Sequence, residues 1–181
     1  PFDELSVRRH LGAVAEIERI FQPAAQMAAE IGGALVQRHA LPPALARLST
    51  RHLAFAEGGR IWFACQFEGS RNETPPLAGY FEPGTDPTFV TLPGDVTERM
   101  GHYVGAIATN AAAGLVGLSS PRGSLVLLDA RDGRLLSERA VHDAAGVAAS
   151  ARAIAVSAYD GTLAETTSPV NWDQHLLRLP D

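Results

Sequence analysis

Two pairs of polar residues in this 181-residue chain have the types and spacing for chemistry. Arg51-His52 precedes the apolar Leu53-Ala54-Phe55, and Gln66 and Glu68 flank Phe67. Side chains alternate along an extended strand, so Gln66 and Glu68 share a face turned away from Phe67. An imidazole beside them could bind a metal or move a proton, and His52 with Glu68 is the ligand pair these residues offer. The other reading of Arg51-His52 is hydrogen bonding to a neighbouring sheet. A catalytic metal centre generally takes three protein ligands, so the chain by itself is expected to hold no metal and no other cofactor.

Arg122, in Ser119-Ser120-Pro121-Arg122-Gly123, offers a planar fork for a carboxylate. That carboxylate belongs to a ligand, to a neighbouring unit, or to an acid of its own turn such as Asp129. Trp172-Asp173-Gln174-His175 carries two members of a hydrolytic triad. Asp173 and His175, two apart on an expected terminal strand His175 to Leu179, would however point the same way, which favours a structural latch. Tyr103, at the head of a small apolar run, completes the candidate ligand-binding residues: Arg51, His52, Gln66, Glu68, Tyr103, Arg122, Trp172, Asp173 and His175. No catalytic residue is assigned among them. Neither Ser119 nor Ser120 lies in a Gly-x-Ser-x-Gly elbow. All fifteen basic residues are arginine, so Schiff-base and P-loop lysine chemistry is closed to the chain. No nucleotide loop, haem-attachment motif or calcium loop occurs. The single cysteine, Cys65, sits in Ile-Trp-Phe-Ala-Cys and reads as a buried small hydrophobe. His10, His39, His102 and His142 show no ligand spacing and read as surface or loop residues.

These residues need elements to position them. In residues 1–33, Leu5, Val7, Leu11, Val14, Ile17, Ile20 and Phe21 recur at three- and four-residue steps, which predicts an amphipathic helix ended by Pro23. From residue 34 the pattern becomes short strands and turns, with Ala34 to His39 the first. Leu53 to Glu57 and Arg60 to Phe67 flank Gly58-Gly59. Leu77 to Phe81 pairs with Thr88 to Leu92, and Tyr103 to Thr109 with Leu115 to Ser119. Ser124 to Asp129 pairs with Arg134 to Arg139 across Asp132-Gly133. Val147 to Ala149, Ala153 to Ala158 and Thr162 to Thr166 follow.

Units of two hairpins recur with the period of β-propeller blades. They lie at about 51–93, 103–141 and 146–181, with a fragment of a further blade at 26–40. Their first strands are small and apolar, suiting a crowded centre. The expected fold is therefore all-β: three to four antiparallel four-stranded blades of a β-propeller over residues 34–181. Blades bury their faces only against one another, so further blades are expected from a longer chain.

Leu48-Ser49-Thr50-Arg51-His52-Leu53-Ala54, Gln66-Phe67-Glu68-Gly69, Tyr103-Val104-Gly105, Ser120-Pro121-Arg122-Gly123 and Trp172-Asp173-Gln174-His175 occur in this order. Together they resemble the C-terminal half of the domain of unknown function 1513 family, over residues 34–181. The resemblance implies an exported bacterial β-propeller that leaves by the Tat route and works in the periplasm. It also implies a setting in iron uptake, with imelysin-like or peroxidase-like proteins as partners. It supplies no reaction. Residues 1–33 depart from it: a threonine-histidine-proline motif is expected where the helix-like stretch stands.

Twenty acids against fifteen arginines give a net charge of −5, with no basic run, which argues against nucleic acid as a partner. No apolar stretch approaches the ~20 residues that span a bilayer. The chain begins at Pro1 rather than Met, so the lack of an export signal decides nothing about compartment. Three functions remain open: a non-catalytic propeller that binds a protein or small ligand, a metal-dependent or redox enzyme with its site in the propeller channel, and an inactive truncated product.

Overall fold

The computed structural model describes residues 14–16, 26–31, 34–173 and 175–177. Three antiparallel four-stranded sheets follow one another along the chain. The first is built from β4 (Leu48–Phe55), β5 (Ile61–Phe67), β6 (Ala78–Phe81) and β7 (Thr88–Val90). The second holds β8 (Ala106–Asn110), β9 (Leu115–Ser120), β10 (Ser124–Asp129) and β11 (Leu135–Ala140). The third holds β12 (Ala144–Ala149), β13 (Ile154–Ala158), β14 (Thr162–Leu163) and β15 (Thr166–Thr167). Within each, strands pair in chain order, the up-and-down arrangement of a propeller blade. A three-stranded sheet of β1 (Val14–Glu16), β2 (Gln26–Ile31) and β3 (Ala34–Ala40) precedes them. The all-β blade architecture read from the sequence is thus what the chain adopts.

Burial follows composition. In β5, Ile61, Trp62, Phe63, Ala64 and Cys65 are all buried, because both faces of this second strand are covered by neighbouring blades. The outer strand β11, Leu-Leu-Ser-Glu-Arg-Ala, has no fully buried residue, and Leu136 is 41% exposed. The tight β4–β5 turn needs left-handed backbone at two successive positions, and glycine occupies both, Gly58 at φ 77° and Gly59 at φ 83°.

The first strands of the blades pack side by side, β4 on β8 and β8 on β12. One core lies between the β4–β7 and β8–β11 blades, around Trp62, Phe63, Phe81, Met100, Val116 and Leu118. A smaller one, of Ala106, Leu125, Ala144, Val147, Ile154 and Val156, joins the β8–β11 and β12–β15 blades. Gly117 lets the latter two approach, since a Cβ there would lie 2.6 Å from Ile154 Cγ2.

Three local expectations are corrected. Val14–Glu16, inside the expected helix, forms a strand paired with β2, and the rest of that stretch lies outside the described residues. A helix that the turn-like Pro93-Gly94 hid, α1 (Gly94–Arg99), fills the link between β7 and β8 and buries Val96 and Thr97. The expected terminal strand is absent at His175–Leu177, which pair with no sheet; the remainder of it is outside the described residues.

Candidate functional site

Because each blade's strands alternate in direction, the links group at two ends. The hairpin end carries the β4–β5, β8–β9 and β12–β13 turns. The opposite end carries the β5–β6 link, α1, the β9–β10 turn and the turn at Gly161.

The hairpin end is occupied by blade-to-blade junctions. Arg60, near the start of β5, donates from Nε (3.1 Å) and Nη2 (2.8 Å) to Glu82 of its own blade. Its Nη1 donates to the Ala130 carbonyl of the next blade at 3.0 Å, and its guanidinium stacks 4.4 Å from the Tyr80 ring centre. Asn110 donates to the Ser150 and Ala153 carbonyls, each at 2.7 Å, while its Oδ1 accepts from the Ala113 N–H. The Thr109 hydroxyl donates to the Phe55 carbonyl. An open groove of about 360 Å³ lies here, beside Glu57, Arg60, Glu82, Thr109, Asn110 and Arg131. Arg60, Asn110 and Thr109 on its walls are already spent on holding blades together.

The α1 end is anchored as firmly. Arg99 pairs with Asp95 at 3.0 Å and with Glu138 of the following blade. The Arg99 guanidinium, helped by the Ser124 hydroxyl, holds the Glu138 carboxyl below its ordinary range. Ser120 Oγ donates to the Met100 carbonyl at 2.7 Å, and Ser119 Oγ to the Ala145 carbonyl. Both serines are fully buried and serve the junction. Tyr103 bridges to Gln66, and the Val104 N–H donates to the Cys65 carbonyl at 3.1 Å, so the link stitches β5 to the next blade.

Beside this end, on the first strands, several of the predicted residues come together. In β4, Thr50 faces Cys65 and His52 faces Ala64, which leaves Arg51 as the extra residue of a bulge. Arg51 Nη2 approaches Glu68 Oε1 at 3.6 Å, while Arg51 Nε is buried without a hydrogen-bond partner among the described residues. The His52 ring meets the His175 ring edge-on, with centres 5.8 Å apart and planes at 61°. Burial, then the neighbouring His175 and Arg51, push the His52 imidazole below its ordinary range.

His175 meets β4 while the residues around it rest on the third blade. Trp172 Nε1 donates to the Gly161 carbonyl at 3.0 Å. Leu176 then packs on Gly146 of β12, where a Cβ would stand 2.9 Å from Leu176 Cβ and 3.0 Å from its nitrogen. Trp172 and Leu176 thus rest on the third blade, and His175 reaches the first of the three.

Some expected pairings are not formed. Glu68 pairs with Arg51 rather than with His52. Arg122 does not pair with Asp129, whose carboxylate takes Arg131 at 2.8 Å and Arg134 at 3.7 Å. Arg122 packs its stem against Gly101 instead. His39 and His102 are buried, the first against Phe81 and the second against Phe67, whereas His142 is exposed. Among the described residues no three His, Cys, Asp or Glu side chains are grouped to hold a metal ion. Sequence reasoning missed Asn110, which opens the β8–β9 turn; Arg60, after Gly58-Gly59, has a position that suits pairing between blades, yet only the neighbouring blade reveals its partner. Among the described residues no helix is long and apolar enough to cross a membrane.

Known structures share this architecture. Over 86% of the chain it resembles Saccharomyces cerevisiae Sqt1, with a TM-score of 0.60 at 11% identity. U3-55K matches 84% of the chain with a TM-score of 0.55 at 13% identity. The WD40 repeats of RRP9 match 84% with a TM-score of 0.54 at 13% identity. The chain spans 43%, 44% and 43% of those structures, respectively. At such identities the likeness establishes the propeller-like fold alone. No curated protein matches the chain. A family match covers residues 17–179, taking in part of the segment before residue 34 as well as all the blades. The chain belongs to the family described as protein of unknown function, DUF1513.

Proposed function

We propose that the chain is part of a non-catalytic β-propeller that binds a protein or small ligand beside the α1 end. The observation that carries this reading is the meeting of Arg51, His52, Glu68 and His175, drawn from three separate segments of chain. One feature suits recognition of a carboxylate: the Arg51 guanidinium is partly exposed, and its ion pair with Glu68 is long at 3.6 Å. Gln66 and Tyr103 border the patch, and Arg122, Trp172 and Asp173 lie toward the same end. The family resemblance supports the setting: Tat export, the periplasm, and iron uptake alongside imelysin-like or peroxidase-like partners. Affinity capture from periplasmic extract, with wild type and Arg51→Ala compared, tests it. A partner lost with Arg51→Ala is expected. No partner at all, or equal capture by both proteins, overturns the reading.

The contact of His52 with His175 also favours a second reading, a metal-dependent or redox activity at this patch. The two imidazoles give fewer than the three protein ligands usual for a catalytic metal. Metal analysis of the protein and of His52→Ala decides between the two: bound metal lost on substitution supports the second reading, and unchanged content sinks it.

A further inference from the structure

We infer that two copies of this chain close one ring, the far face of the third blade in each copy packing on the β1–β3 sheet of the other. In the third blade, Ile154 and Val156 belong to the core shared with the second. Ala155 and Ser157 alternate with them along β13, so they point to the far face. An open groove of about 790 Å³ lies against that face. Ala148, Ala155, Leu163 and Leu177 give it apolar walls, and Glu165 and Thr166 line it as well. Leu177 is 83% exposed.

That face repeats, position by position, the face by which the second blade holds the third. There Gly117 of β9 pairs with Ala108 of β8, and two residues on, Ser119 pairs with Leu125 of β10. Gly117 receives Ile154, and the Ser119 hydroxyl donates to the Ala145 carbonyl of the third blade. In the third blade, Ala155 pairs with Ala148 of β12, and two residues on, Ser157 pairs with Leu163 of β14. A small residue again stands where a neighbouring sheet comes close, followed by a fully buried serine. A face built as a blade-to-blade contact is answered by another sheet, since blades bury their faces only against one another.

A second copy brings such a sheet. β3 leads into β4 as β11 leads into β12, so β3 holds the outer place of its sheet. His39 of β3 is buried against Phe81 of the first blade. Arg38 and Ala40 alternate with it and are exposed, which places them on the face turned away from that blade. Each copy thus carries both halves of the contact, one at each end of its row of sheets. Charge agrees: Arg38 and Glu165 are exposed on these two faces, and neither has an ion pair among the described residues. Length agrees too. The 84–86% of the chain that matches the propeller-like structures is 43–44% of each of them, so each is about twice as long as this chain. The contact is head-to-tail, and half a turn repeats it on the other side, which closes the assembly at two copies.

Light scattering on the eluting 181-residue chain reads the assembly directly, with twice the chain mass expected across micromolar concentrations. Ala155→Glu sets a charge on the far face and is expected to halve that mass, with the far-ultraviolet circular dichroism unchanged. Thr166→Arg, at an exposed position, takes its place if Ala155→Glu does not fold. Cysteine pairs fix the geometry, because Cys65 is fully buried and stays out of the reaction. The double variant Ala40→Cys/Thr166→Cys is expected to form a covalent dimer with a flexible bismaleimide, and each single variant none. A chain that stays monomeric would overturn the inference and leave the far face to blades of another source. Open assemblies larger than two copies, a dimer unaltered by both charged variants, or cross-linking by Thr166→Cys alone, the mark of third blades packed on each other, would each overturn it as well.

Discussion

Gly146 leaves the space that Leu176 fills: a Cβ on Gly146 would stand 2.9 Å from Leu176 Cβ and 3.0 Å from the Leu176 nitrogen. The first strand of the third blade is thus shaped to receive the chain's own C-terminal segment, and that segment carries His175 to His52. Gly146→Val is expected to displace Leu176 with its neighbours and to raise acrylamide quenching of Trp172 fluorescence at neutral pH. The crowding costs about 1–3 kcal/mol if Leu176 stays in place, and less if it moves away. Quenching and a thermal melt on the same variant separate these outcomes.

Arg60 ties two blades together through charged hydrogen bonds to Glu82 and to the Ala130 carbonyl. Arg60→Ala is expected to lower the unfolding free energy by about 1.5–3 kcal/mol, read from urea denaturation. Arg60→Lys should recover only a part, because an ammonium cannot reproduce the fork that meets both partners while stacking on Tyr80.

Cys65 is fully buried in β5, and burial pushes its thiol up to about 12. A thiolate is scarce there at neutral pH. A chromogenic disulfide reagent is expected to leave the native protein unmodified and to titrate one thiol after denaturation. Rapid reaction in the native state would show that β5 opens.

Glu138 is held below the ordinary glutamate range by Arg99 and Ser124. A carboxylate with a depressed folded-state value stabilises the fold above its unfolded value, and the contribution is lost as pH falls through the folded one. The melting temperature is therefore expected to drop on moving from about pH 6 to about pH 3.5, and to drop less in Glu138→Gln. An identical acid response in both proteins would remove Glu138 from the account.

The blades were legible because their signals are local. Gly58-Gly59 and Asp132-Gly133 mark turns by backbone demand, and Ile61 to Cys65 is apolar enough to require cover on both faces. The gathering of Arg51, His52 and Glu68 followed from one strand pairing. What stayed hidden depends on distant chain. Arg60 meets a carbonyl seventy residues on, and Asn110 meets carbonyls forty and forty-three residues on. His39 and His102 looked like loop residues because nothing nearby in sequence announces Phe81 or Phe67. His175–Leu177 have strand-like composition but pair with no sheet, and Leu176 packs on Gly146 instead.

The central claim is that partners are met beside the α1 end and not at the hairpin end. A photoreactive phenylalanine analogue at Ser70, two residues past Glu68, and in a separate protein at Glu57 of the β4–β5 turn, tests this in cells; both positions are exposed. Covalent partner adducts are predicted from position 70 and not from position 57. Adducts from position 57 alone, or none from position 70, would contradict the account.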